Sequence, residues 1–380
     1  MWLPNKNKDF AEWYNQLVLQ SWLAEYSSVR GCMTIKPYGY SLRENIRDIL
    51  DTMIKNTGHT NAYFPLLIPK KYMQQEANHI AWFAKECAVV THHRLRSNPD
   101  TNQIEVDPDA KLDEELIIRP TSETIIWNSY ANRIESYRDL PLKINQRANV
   151  MRREMRTRLF LRTAEFLRQE GHTAHKTSEE AQEESLKMLN VYKDLFHNFL
   201  ALYPFGWKKA DHEKFAGAET TYTIEAMMQD WKALQAWTTH FMWQNFAKSF
   251  DVTYTDENNE KSYVRWTSWW VSTRAIGWVI LGHSDQKWLV LPPSIAPLHI
   301  VIIPIAKNKE DLEKILHYCK PICDLLNKEQ LHFSSQYFSK SLPISYKIDD
   351  DLTHGLWWKC TQYELQGVPL RLTIGPQELA

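Results

Sequence analysis

The sequence predicts an α+β protein: an antiparallel sheet flanked by helices, followed by a smaller α/β unit. Three observations predict it. Two strand-like runs, 141–156 and 159–170, flank a short loop at 156–159 and so form an antiparallel pair. Further extended runs at 219–230, 235–250 and 262–270 surround a returning hairpin. After the proline-marked linker LVLPPSIAP (289–297), a strand at 298–305, a helix over 309–327, a short strand near 331–338 and VPLRLTIGP (368–376) read as a βαβ-like pattern. At 380 residues there is room for two domains, which the linker divides into 1–290 and 297–380.

The elements follow in order. Residues 9–28 carry Phe10, Trp13, Leu17 and Leu23 at helical spacing. A second helix is expected over 41–57, with Ser41 as N-cap and Glu44 three residues on. NAYFPLLIP (61–69) reads as a strand with proline at its edge, and the polar, Asp-rich 96–115 as a loop or hairpin. IIRP (117–120) is a strand closed by Pro120, and Thr121-Ser122-Glu123 opens a helix over 121–135. Residues 178–202 predict a long helix and 272–281 a later one. The chain stops at Ala380 directly after a strand, with no closing helix, so a truncated second domain is expected.

Composition excludes several classes. With 45 basic and 46 acidic residues the net charge is −1, so no global basic field advertises nucleic acid, although a local patch can still bind it. Cys32, Cys87, Cys319, Cys323 and Cys360 are odd in number and scattered, which indicates neither a disulfide frame nor a zinc site. MWLPNKNKDF lacks a signal-peptide core, and the longest apolar run, near 298–306, is too short to span a bilayer. A soluble cytoplasmic protein with no membrane partner is expected. One feature is abnormal. Glycine numbers 11, where average usage of roughly 7% would give about 27, while the bulky tryptophan numbers 16.

The residues that carry chemistry cluster in 117–175. Arg152-x-Glu154, followed by a turn and 162–166, sets arginines among apolar residues, where a charge needs an anionic partner. An arginine there can hold a phosphate or carboxylate through two parallel hydrogen bonds, and Phe166 offers a flat face to an adenine ring. A surface hairpin laced with ion pairs fits the same residues. In Arg119-Pro-Thr-Ser-Glu-Thr124, Thr121 and Glu123 can present a hydroxyl and a carboxylate to an amine, or simply cap a helix. Ser272-Thr273-Arg274 opens a helix whose first amides favour anions, or caps it with a solvated arginine. His240 in TTHF is a ligand or a satisfied core residue.

Taken in order, RPTSET, Arg-x-Glu with FLRTAEF, QEGHTAH (169–175), FAGAETTYTIEAMMQD (215–230), TTHF, TSWWVSTR and HSDQKWLVLPP resemble the prolyl-tRNA synthetases, a class II aminoacyl-tRNA synthetase family. The resemblance runs from about Phe10 to Ala380. It is to the archaeal/eukaryotic-like branch, since no large editing insertion separates QEGHTAH from FAGA. It implies a class II catalytic domain followed by an anticodon-binding domain whose final elements are absent. Arg152 and Glu154 then belong to the second class II signature and Arg274 to the third; these three are the expected catalytic residues. Thr121, Glu123, Arg152 and His172 would surround proline, with Glu170 and His240 close by. Arg152, Glu154, Arg162, Thr163, Phe166, Gln235 and Arg274 would hold ATP, with Mg²⁺ between its outer phosphates and no metal site built from side chains. Residues 41–57 and 61–69 correspond to the signature that builds a homodimer interface.

The implied chemistry has two steps. The carboxylate of L-proline attacks the α-phosphate of ATP, giving prolyl-adenylate and pyrophosphate, and a terminal hydroxyl of tRNA(Pro) then takes the prolyl group. The protein positions the reactants and stabilises charge. Two rivals remain: a related synthetase for threonine, serine or glycine, and a synthetase-like binding protein without activity.

The chain departs from the family in a regular way. Trp82, Trp207, Trp231, Trp237, Trp243, Trp270, Trp288 and Trp357 stand where the family pattern has glycine, and Trp22, Trp266 and Trp278 belong with them less clearly. Arg43, Arg147, Arg153, Arg168 and Arg265 stand where it has tryptophan, whereas Trp13, Trp127, Trp269 and Trp358 agree with it. An indole at Trp237 or Trp270 is expected to fill the proline or adenylate pocket, and Arg168 to put a cation where an aromatic ring belongs. Drift does not choose the same two replacements repeatedly. A gene whose UGA codons mean glycine and whose CGG or CGA codons mean tryptophan produces both when translated with the wrong code; a degenerate paralogue is the alternative.

Overall fold

The computed structural model describes residues 3–75, 84–215 and 217–379; Trp82 and Ala380 lie outside them. Helix α1 (Phe10–Gln20) starts where the Asp9 side chain accepts from the Glu12 amide, and it buries Trp13, Tyr14, Leu17 and Val18 along one stripe. It ends eight residues before the expected limit, because Trp22 turns left-handed and the chain re-emerges as the strand Ala24–Tyr26. Helix α2 (Pro37–Asn56) starts four residues earlier than expected. Pro37 in the first turn, not Ser41, opens it, since a proline there forfeits no intrahelical hydrogen bond. Leu42, Ile46, Ile49, Leu50, Met53 and Ile54 form its buried stripe, each worth about 1.5–3 kcal/mol relative to exposure.

The central sheet has seven strands: β1 (Thr60–Ala62), β2 (Leu142–Met151), β3 (Glu165–His175), β4 (Phe205–Lys208), β5 (Thr220–Met227), β6 (Ala233–Trp243) and β7 (Arg265–Ser272). Their order is β4-β5-β6-β7-β3-β2-β1, antiparallel throughout except for the parallel β1–β2 edge. The expected pairing of β2 with β3 is present, from Glu165↔Met151 to Ala174↔Leu142, but the loop between them is longer than expected, 152–164. The run 61–69 splits into β1 and a strand Leu67–Pro69, and 96–115 contains the hairpin Leu95–Ser97/Ile104–Val106. The expected strand 235–250 is cut short by a small helix, Asn245–Ser249.

Helix α3 (Glu123–Ala131) closes one end of the site face. Helix α4 (Ser178–Asp194), continued by a wide turn Leu195–Phe199, packs on the opposite face against β6 and β7. With α1, α2 and helix α5 (Arg274–His283) it covers the larger core, which includes Tyr192, Phe196, Trp237, Trp269 and Trp278. A smaller core of Ile126, Trp127, Tyr130, Phe246 and Trp266 lies under α3.

Beyond the linker, β8 (Ile300–Pro304) pairs in parallel with β9 (Tyr346–Ile348) and β10 (Leu370–Ile374). Helix α6 (Lys309–Lys328) is as expected, whereas β9 and helix α7 (Leu356–Leu365) are additional, and the strand expected near 331–338 lies outside this sheet, in its own hairpin Gln330–Ser334/Ser339–Pro343. This unit docks on the larger one through Tyr38 Oη to the Gln366 carbonyl at 2.9 Å and Asn56 Nδ2 to the Tyr337 carbonyl at 3.0 Å.

Candidate active site

Alternation along β3 sends Phe166, Arg168, Glu170 and His172 to one face of the sheet and Gln169, Gly171 and Thr173 to the other. Glu170 is the centre of the first face. Its carboxylate is fully buried and therefore needs partners. Oε1 accepts from Ser122 Oγ at 2.5 Å and Gln146 Nε2 at 2.8 Å, while Oε2 lies 3.4 Å from His172 Nε2 and pairs with the Arg168 guanidinium. Arg168 Nη2 also donates to Thr121 Oγ1 at 3.2 Å, and the Thr121 hydroxyl donates to Glu123. Thr121, Ser122 and Glu123 arrive together because Pro120 ends the strand before them and α3 begins at Glu123.

Electrostatics at this cluster are dominated by the internal cation. Burial alone would raise the Glu170 carboxyl, but Arg168 and His172 outweigh it and hold the group well below the usual carboxylate range. Burial likewise opposes charge on Arg168, yet the Glu170 and Glu123 carboxylates hold its guanidinium above the ordinary value. The result is a pocket built for one positive charge, occupied by the chain's own arginine.

Beside it lies a recess lined by Arg152, Glu154, Arg162, Phe166, Trp270 and Arg274. Arg152 follows β2, and its Nε donates to the Pro120 carbonyl at 2.9 Å; burial, with Arg168 nearby, brings it down to about 10. Arg274, the first residue of α5, donates from Nε to the Leu161 carbonyl at 2.9 Å and is lowered by burial and by Arg162. Arg162 pairs with Glu154 at 2.5 Å on the open side. Thr163 lines the recess too, its hydroxyl donating to the Glu165 carbonyl at 2.7 Å. Three guanidiniums beside the Phe166 ring can receive a polyanion attached to a ring.

The structure therefore brings Thr121, Glu123, Arg152, Glu170 and His172 to one cluster and Arg152, Glu154, Arg162, Thr163, Phe166 and Arg274 to the adjoining recess. His240 lies two strands away on the same face, since His172 pairs with Ser268 and Ser268 with His240. Thr221 and Thr238 hydroxyls each sit 3.0 Å from one of its ring nitrogens, and burial pushes it down to about 3, so the ring is neutral. Gln235 opens β6 outside the lining of the recess, where its side-chain oxygen accepts from Lys209 at 2.7 Å. One expectation is corrected. Trp237 does not enter the pocket: it lies three residues before His240, on the other face, and packs on Tyr192 and Phe196. Trp270 does wall the recess, with the Arg168 guanidinium 5.4 Å above its ring.

Sequence reasoning assigned no role to Gln146 or Ser122, both buried against Glu170. A signal for Gln146 exists: Asn145-Gln146 interrupts the apolar pattern of a central strand, where an amide needs a buried partner.

Comparison with known proteins agrees with this architecture. The tRNA synthetase class II core domain (G, H, P, S and T) matches residues 104–281, and the anticodon binding domain matches 299–380. The proline--tRNA ligase of Amoebophilus asiaticus is 55% identical over 378 residues, 100% of this chain and 74% of that protein. That of Parabacteroides distasonis is 55% identical over 377 residues, 99% of this chain and 74% of the relative, and that of Cytophaga hutchinsonii is 54% identical over the same shares. At this identity, over essentially its whole length, the chain belongs to the prolyl-tRNA synthetase family of class II aminoacyl-tRNA synthetases.

Proposed function

We propose that the chain is a proline–tRNA ligase that activates L-proline with ATP and transfers it to tRNA(Pro). The carrying observation is the junction of two sites at Arg152: a carboxylate cluster suited to an ammonium on one side and an arginine recess suited to a polyphosphate on the other. The secondary ammonium of proline would be received by Thr121, Glu123 and Glu170, with His172 closing the pocket. Arg152 would meet the proline carboxylate and the α-phosphate together, holding them for in-line attack. Arg162 and Arg274 would take the outer phosphates, Thr163 would support that wall, and Phe166 would stack on adenine. Glu154 orients Arg162 through their ion pair. His240 and Gln235 would act from the periphery, through the Thr221/Thr238 pair and Lys209.

Among the described residues no group of three or more His, Cys, Asp or Glu is placed to hold a metal ion. Glu154, the carboxylate in the lining of the recess, would face Mg²⁺ carried on ATP, and the ion would supply neutralisation of charge on the outer phosphates. We further propose a division into a catalytic unit, 1–290, and an anticodon-binding unit, 297–380. We also propose a homodimer formed through α2 and the strands after it. No described helix is long and apolar enough to cross a membrane; we propose that the chain works in the cytoplasm.

ATP–pyrophosphate exchange tests the assignment, run on this chain and on a variant restored to the family residues at the departing positions. Exchange driven by proline is expected. Exchange driven by threonine, serine or glycine instead overturns the substrate, and no exchange with any amino acid in the restored variant supports a binding protein.

A further inference from the structure

Among the described residues eight besides glycine hold a positive φ, and three of these are tryptophans: Trp22 (62°), Trp231 (61°) and Trp243 (54°). Three of the other five are asparagine or aspartate, which tolerate that region; a bulky residue there is an outlier. The three tryptophans are not scattered at random. Each sits at the left-handed position of a motif that favours glycine.

Trp22 is the residue after the cap of α1. Its amide reaches the Leu19 carbonyl at 3.4 Å and the Leu23 amide reaches the Val18 carbonyl at 3.2 Å, the two bonds of a Schellman ending. Trp231 ends the three-residue loop between β5 and β6, closed by Met228 N to the Lys232 carbonyl at 3.0 Å, where such hairpins place glycine. Trp243 stands at the register shift between β6 and β7, the left-handed residue of a bulge.

Arginines mark the converse. Between α2 and the covered face of the sheet lies a small, mainly apolar recess lined by Arg43, Ile46, Leu50, Arg147, Leu167 and Val271. Arg147 reaches Asp51 at 2.7 Å through Nη1, but its buried Nη2 has no partner among the described residues. Arg168 is fully buried with Nε equally unpartnered. An apolar recess holding unsatisfied guanidinium nitrogens is a recess shaped for apolar rings.

We propose that the enzyme made in the cell carries glycine at Trp22, Trp231, Trp243 and Trp270 and tryptophan at Arg43, Arg147 and Arg168, one codon being read there as glycine and another as tryptophan. The two changes in the site act together. Glycine in place of Trp270 widens the floor shared by the ammonium cluster and the phosphate recess. An indole in place of Arg168 removes the internal cation, so that Glu170 and Thr121 are released to a substrate amine, and supplies an apolar wall beside them. The left-handed backbone at Trp22, Trp231 and Trp243 owes nothing to the activity proposed above.

The test is the peptide masses of the enzyme isolated from its own cells, with the codons of its gene. Peptides covering 22, 231, 243 and 270 are expected at glycine masses and those covering 43, 147 and 168 at tryptophan masses, with Trp13, Trp127 and Trp269 unchanged. The codons at 22, 231, 243 and 270 should be one triplet that differs from the triplet at 13, 127 and 269. An indole mass at 22, 231 or 243, an arginine mass at 168, or a triplet shared by both groups overturns the proposal. These readings do not depend on which amino acid, if any, is activated.

Discussion

Arg168→Trp, compared with Arg168 in a Trp270→Gly background, is the most informative substitution in the site. As it stands, a substrate ammonium entering the cluster must separate Arg168 from Glu170, whose side chains are 1% and 0% exposed. Breaking a buried ion pair of this kind costs about 3–5 kcal/mol, and each 1.4 kcal/mol or so is a factor of ten. Removing the guanidinium therefore raises kcat/KM for proline between about 10²- and 10⁴-fold. Glu170 stays satisfied meanwhile by Ser122, Gln146 and His172. The gain should appear in KM for proline and not in KM for ATP, because Arg168 does not line the phosphate recess. Proline-dependent pyrophosphate exchange at varied proline and varied ATP measures both. Equal proline KM values in the two proteins, with both folded by circular dichroism, would refute the reasoning that the internal cation competes with the substrate.

Other consequences can be measured on the same preparation. Trp231 is 86% exposed, so Trp231→Gly forfeits little burial. It relieves a left-handed backbone costing about 1–2 kcal/mol, less the entropy of glycine, for a net gain of up to about 1 kcal/mol; the urea midpoint should rise, and a fall contradicts the turn assignment. Gly171→Ala would drive a methyl group into the indole of Trp269 across β3 and β7, lowering stability by about 1–3 kcal/mol, and an unchanged midpoint argues against that packing. Burial lowers both His59 and His175 to about 4 in the folded chain. Their neutral forms stabilise the fold fully above the unfolded value of about 6.5, and that stability is lost as pH falls toward 4, because the unfolded chain then binds protons the folded one resists. The midpoint should fall across this window, and His175→Asn should flatten the fall; the same slope in both proteins removes His175 from the account.

Much of this architecture is legible in the sequence, and the exceptions have physical causes. The β2–β3 pair and, after the linker, β8, α6 and β10 are read directly, because alternation and proline punctuation survive in them, whereas the strand near 331–338 pairs only within its own hairpin. The end of α1 is not read directly, because Leu23 continues the apolar rhythm of a helix while the backbone at Trp22 has already turned left-handed. The start of α2 is displaced because Ser41 and Glu44 imitate a cap inside a helix that Pro37 has already begun. Trp237 is expected in the pocket, although its odd spacing from His240 along β6 puts it on the other face. Gln146 is hard to read for a different reason: one amide in a strand says little without Glu170 and Ser122 set against it.

The central claim, that the pocket around Glu170 selects proline for activation with ATP, is tested most directly by pyrophosphate exchange against a panel of amino acids. The protein to use is the chain with Arg168→Trp and Trp270→Gly, and Glu170→Gln in that chain is the control. The account predicts exchange with proline above threonine, serine and glycine, and a rise in KM for proline in the Glu170→Gln protein with KM for ATP little changed. Exchange led by another amino acid, or a proline KM indifferent to Glu170→Gln, would contradict it.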